Sequence, residues 1–189
     1  FMTNPIVDEL VGPWFLPFPH QAILKFANDL SEEMLSKQPS STAPPIAWHV
    51  FHIARWADRL QASLPNRLPE DSHPSELPRQ IWLVEETTNA WGVDPSSLGW
   101  LETGAGMTIE QSLIFASVGR ARLAEYATKA FLAADEETKK LHDHELTQAR
   151  NSIIPSSRRD QTTGGIETTG SRQTTVLFDL LFHLSHASR

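Results

Sequence analysis

The sequence predicts an all-α protein, a four-helix bundle with long irregular connections. Three observations predict it. Apolar residues recur at three- and four-residue spacing in four separate stretches, the period of an amphipathic helix. Clusters of Pro, Gly, Ser and Thr divide these stretches, and no segment shows the strict alternation of a half-buried strand.

The elements follow in chain order. Residues 13–19 are studded with prolines and cannot be helical throughout. Ile23, Phe26, Ala27, Leu30, Met34 and Leu35 then mark a first helix over about 20–37. Residues 38–45 form a breaker cluster, and a second helix runs over 45–64. Its starting proline suits a first helical position, where the lost N–H has no partner. The polar, proline-rich stretch 65–78 is expected to be a loop, 76–91 a weakly patterned helix, and 92–106 irregular. Thr108, with Gln111 three residues on, forms a capping box that opens a third helix reaching Ala134. Residues 135–150 read as a charged extension or a short separate helix. The stretch 151–174 is Ser, Thr, Gly, Arg and Gln with little apolar content, and is expected to be a structureless connection. Long connections of that kind are usually functional or disordered. A final helix spans 176–189, capped by Thr174 or Thr175.

Length and composition narrow the function classes. At 189 residues, with 40% hydrophobic and 21% charged, one globular domain over residues 2–189 is expected, with Phe1 before Met2 a cloning remnant. A net charge of −7 and a pI near 5.6 argue against a broad nucleic-acid surface. No apolar run approaches the roughly 18–20 residues that span a bilayer, and no signal peptide is evident, so the expectation is a cytoplasmic protein without membrane contact. There is no cysteine. Disulfides, thiolate ligands and a cysteine nucleophile are thereby excluded, and any metal must be held by nitrogen and oxygen. That favours Zn, Ni, Fe, Co or Mn.

The histidines carry the candidate chemistry. In the second helix Trp48, His52 and Trp56 stand four apart and share one stripe, while His49 lies nearer the centre of the apolar face. Each histidine there is either a hydrogen-bonded core residue or a ligand. In the last helix Asp179, His183 and His186 are separated by four and three residues and project from one face of an almost wholly apolar segment. Buried polar groups need partners. Either a divalent cation satisfies them, with a facing helix adding a ligand, or Asp179 and His183 pair and His186 meets solvent. Other features are weaker. His142 and His144 read as a solvated helix end, and His20 and His73 flank prolines without a constellation. Arg158, Arg159 and Arg172 could meet an anionic substrate, though a loop charge run is usually just solvated. Gly104 to Gly106 lacks the residues of a phosphate loop.

The segment Ala47-Trp-His-Val-Phe-His52-Ile-Ala-Arg55-Trp-Ala-Asp58 resembles the second-helix signature of the DinB/YfiT-like superfamily. Leu180-Leu-Phe-His183-Leu-Ser-His186-Ala-Ser-Arg189 resembles its last-helix signature. The resemblance implies an up-down-down-up four-helix bundle, often a homodimer. It also implies a divalent metal (Zn, Ni, Fe or Mn) held by one histidine of the second helix and two on the last, four apart. The second-helix ligand maps onto His52 and the first of the pair onto His186. The other would be residue 190, so the last helix is expected to be cut short at 189, or His183 substitutes as third ligand. Asp179 then accepts a hydrogen bond that orients an imidazole. Members of the superfamily include thiol-dependent transferases and isomerases and an iron-dependent sulfoxide synthase. The implied function is metal-assisted thiol transfer, isomerisation or hydrolysis on a small-molecule substrate, any thiol being a low-molecular-weight cofactor. The alternative is a non-catalytic, stress-related binding protein with an incomplete metal site. A DNA-binding protein is disfavoured by the acidic charge.

Overall fold

The structure, a computed structural model, describes residues 4–13, 15–64, 79–162, 165–170 and 172–187. The expected loop over 65–78 and His73 lie outside them. The described residues are mostly helical, with two small antiparallel strand pairs among them.

Helix α1 (Pro5–Leu10) starts on a proline, and the Asp143 carboxylate accepts from the free N–H groups of Ile6 and Val7 at 3.1 and 2.9 Å. The stretch expected as one helix over 20–37 is two, α2 (Pro17–Asp29) and α3 (Glu32–Ser36). Leu30 is extended between them, and the Ser31 hydroxyl accepts from Met34 N, so a local N-cap competes successfully with a continuous helix. Helix α4 (Ile46–Ser63) matches its expected span and buries Phe51, Ala54, Ala57 and Leu60 completely. The weak pattern over 76–91 gives two short turns, α5 (Ile81–Val84) and α6 (Thr87–Trp91), divided by Glu86 in the left-handed region.

The capping box of Thr108 and Gln111 is present, but the helix it opens does not run unbroken to Ala134. It is split into α7 (Ile109–Ser112), α8 (Phe115–Val118) and α9 (Arg120–Lys139). Gly119 makes the second break at φ +86°, a conformation in which a side chain is strained. The Glu32 carboxylate accepts from the exposed N–H of Arg120 that the break leaves, at 2.9 Å.

The all-α expectation needs its clearest correction between residues 149 and 175. Strands β1 (Ala149–Asn151) and β4 (Gln173–Thr175) pair antiparallel, as do β2 (Ser156–Arg159) and β3 (Ile166–Gly170). The β2–β3 pair is a short exposed ribbon whose ladder carries polar side chains, so hydrophobic alternation could not announce it. Helix α10 (Val176–Ala187) closes the described chain. Among the four longest helices, α4 packs on α9 and α10, and α2 packs on the same two. No helix among the described residues is long and apolar enough to cross a membrane.

Candidate metal centre

The four-residue stripe on α4 survives as a stack of rings. The Trp48 indole lies parallel to His52 at 4.6 Å between centroids, and Trp56 meets His52 edge-on at 6.3 Å. His52 Nδ1 is 2.6 Å from the Thr103 carbonyl oxygen, which can only accept, so Nδ1 carries the proton. Burial, with His186 and His49 as neighbours, outweighs that hydrogen bond and pulls the His52 pKa down to about 4. The ring is therefore neutral at pH 7 and keeps a lone pair on Nε2. Thr103 is offered by the tight loop 99–106, where Trp100 and Ala105 form an isolated bridge and Gly104 has φ +87°. Gly104 packs against Trp48: a Cβ there would stand 2.7 Å from the indole Nε1.

Helix α10 brings His186 to this place. Its ring centroid is 5.6 Å from that of His52, 6.4 Å from Trp56 and 4.5 Å from Phe182. Two imidazoles bonded to one cation at about 2 Å each can have centroids roughly 6 Å apart, so this pair is within reach of a shared ion. Both rings line a cavity of about 440 Å³, whose walls include Trp48, Trp56, Trp100 and Phe182. Ile154, Arg159 and Ile166 from the segment after β1 also line it. The stretch expected to be structureless thus forms part of the cavity wall.

His183 goes elsewhere. It is fully buried, its Nε2 is 2.8 Å from Nε2 of His20, and His20 Nδ1 in turn is 2.8 Å from the Asp135 carboxylate. The Asp135–His20–His183 chain ties α9, α2 and α10 together, with His20 stacked on Phe131 at 4.4 Å. Burial first, and then His20 and His186, hold the His183 pKa well below the usual imidazole value. Asp179 is also fully buried, and the hydrogen bonds it accepts come from Arg150 at 2.8 Å, Ser152 at 2.7 Å and the Ile153 N–H at 3.4 Å. That carboxylate anchors the chain leaving β1 onto α10. Among the described residues no group of three or more His, Cys, Asp or Glu is arranged to hold a metal ion.

Sequence spacing did not connect His20 with anything, because its partners lie 115 and 163 residues away. Thr103 left no signal either, since its backbone carbonyl is what acts. His49 is exposed rather than central to the apolar face. His142 and His144 lie at a solvated turn as expected, stacked at 5.7 Å.

The family model of the DinB superfamily matches residues 20–165. The chain belongs to the DinB superfamily. The match takes in the whole of α4 with His52 and ends before α10, so it does not extend to His186. Curated proteins yield no match to the chain.

Within this DinB-superfamily fold, the run from His52 to Asp58 divides its labour. Arg55 and Asp58 are buried in a hydrogen-bonded network and do not line the cavity. Asp58 accepts from Arg55 Nη1, Tyr126 Oη and the N–H groups of Ile81 and Trp82, at 2.8 to 3.0 Å. One turn earlier, His52 faces the cavity.

Proposed function

We propose that His52 and His186 are ligands of a divalent metal, Zn, Ni, Fe or Mn, in an enzyme acting on a small molecule. The observation that carries this reading is the His52 geometry: Nδ1 donates to Thr103, Nε2 has no hydrogen-bond partner among the described residues, and a second imidazole stands 5.6 Å away in a cavity. A neutral imidazole fixed by a backbone carbonyl is the usual posture of a metal-bound histidine. When bound, a divalent metal lowers the pKa of a coordinated water or thiol and polarises a substrate. Thiol-dependent transfer, isomerisation and hydrolysis all belong to this reading. With no cysteine in the chain, any thiol is a small-molecule cofactor. The long helices are read as the up-down-down-up bundle, in a cytoplasmic homodimer, which light scattering coupled to size-exclusion chromatography checks.

The second reading is a non-catalytic binding protein. What favours it is that two imidazoles, not three ligands, converge among the described residues. Elemental analysis of the purified protein and thermal shift with Zn, Ni, Mn and Fe separate the two. A ligand at about 100 times its Kd stabilises by about 2.7 kcal/mol. For a chain of this length that raises Tm by roughly 5–10 °C. His52→Ala and His186→Ala each abolish the shift on the metal reading. No bound metal and no shift with any of the four ions would leave the binding protein.

A further inference from the structure

The cavity that holds His52 and His186 is one-sided in charge. Among the described residues no Asp or Glu lines it, although the chain carries a net charge of −7. The one guanidinium in its wall among the described residues is Arg159, and its placement follows from strand register. Arg158 is opposite Glu167, and Arg159 is opposite Ile166. Successive side chains of a strand point to opposite faces, and directly paired residues share a face. Arg158 and Glu167 therefore take one face, where they form an ion pair at 3.3 Å. Arg159 and Ile166 take the other, together with Ser157 and Thr168 two positions along. That second face is the one turned to the helices: Thr168 Oγ1 accepts from Trp100 Nε1 at 2.9 Å, and Arg159 and Ile166 both line the cavity.

Arg159 has no carboxylate or other hydrogen-bond partner among the described residues. The indole N–H groups of Trp48 and Trp56 are also without an acceptor, but both are fully buried rather than open to the cavity. Among the described residues the cavity wall thus carries one positive charge and no counter-charge. The rest of the wall is aromatic or aliphatic, Trp100, Phe182, Met107 and Ile154 among it, and suits a ring or a branched apolar body.

We infer that this cavity binds a small carboxylate with an aromatic or branched apolar body, and that Arg159 holds its carboxylate. The inference names the substrate class of the cavity proposed above. It rests on that cavity being the functional site, but not on a metal being there.

The test uses the full chain treated with EDTA, so that no ion contributes, and isothermal titration with 3-phenylpropionate and its neutral isostere 3-phenylpropionamide. The wild-type protein is expected to bind the acid about tenfold tighter than the amide at low ionic strength, the size of one good charge-assisted contact. The preference shrinks in 0.5 M salt, because Arg159 is exposed and screened. Arg159→Gln is expected to remove the preference while leaving the amide affinity unchanged. Arg158→Gln, which deletes the same charge one residue away on the opposite face, is expected to keep it. Equal affinity of acid and amide in the wild type, no binding of either, or an equal loss in both arginine variants would overturn the inference. Acid binding that persists in His52→Ala, alongside a wild type that shows no metal shift, would remove the metal proposal and leave this one standing.

Discussion

At the scale of single residues, the site depends on protons held in fixed places. The Thr103 carbonyl accepts a hydrogen bond from Nδ1–H of His52, and burial keeps the ring neutral with a pKa of about 4. The consequence for stability has a definite sign. In the unfolded chain His52 gains a proton as pH falls through about 6.5. In the folded, metal-free protein it resists until about 4. The unfolded state then binds more protons, so stability is intact above pH 6.5 and declines between 6.5 and 4. His183 acts in the same direction. Urea midpoints of EDTA-treated protein measured over pH 7.5 to 4.5 are expected to fall, and to fall less steeply in His52→Gln. A midpoint independent of pH would contradict this. Gly104 gives a second residue-scale prediction. Gly104→Ala places a Cβ 2.7 Å from the Trp48 indole at a residue with φ +87°. The expected cost is about 1–3 kcal/mol in urea unfolding, with the Trp48–His52 stack displaced and its fluorescence changed.

At the scale of elements, α4 carries the site on one turn and scaffold on the next. Asp58, fully buried, joins α4 to α9 through Tyr126 and caps α5 through the N–H groups of Ile81 and Trp82. Removing it leaves the buried Arg55 guanidinium without its counter-charge. Asp58→Ala is expected to destabilise by about 3–5 kcal/mol. Tyr126→Phe, which deletes one hydroxyl from the same network, is expected to cost only about 1 kcal/mol. Denaturant unfolding of both variants checks the ratio, and comparable losses would mean the carboxylate is not the centre of the network. The helix breaks tell a similar story. Apolar periodicity ran on through Leu30 and through Gly119, and in each case a side chain satisfied the interrupted backbone, Ser31 for Met34 and Glu32 for Arg120.

At the scale of the whole molecule, the cavity exists because four distant segments meet, the loop 99–106 with Trp100 among them. Helix α4 supplies His52, α10 supplies His186, and the β2–β3 ribbon supplies Arg159 and Ile166. The Trp100–Thr168 hydrogen bond ties the ribbon to the rest of the protein by side chains. Thr168→Val keeps the shape and removes the acceptor. The expected result is faster amide hydrogen exchange confined to residues 156–170, with a change in global stability below about 1.5 kcal/mol. Unchanged exchange there would show the ribbon is held by other contacts.

Spacing along the chain determined what single helices can show. It placed Trp48, His52 and Trp56 on one stripe, located α4 and α10 closely, found the Thr108 cap, and, from the absence of cysteine, left nitrogen and oxygen as the ligands available to any metal. Only the tertiary structure decided which histidine meets which. Residues three apart on a helix diverge by about 60° around its axis. That angle sends His186 to His52 and His183 to His20 on a different helix. It could not be resolved without knowing how α10 is rotated against its neighbours. The ribbon was hidden for a related reason. Its strands are held by backbone hydrogen bonds and by contact with Trp100, neither of which leaves a period in the side chains.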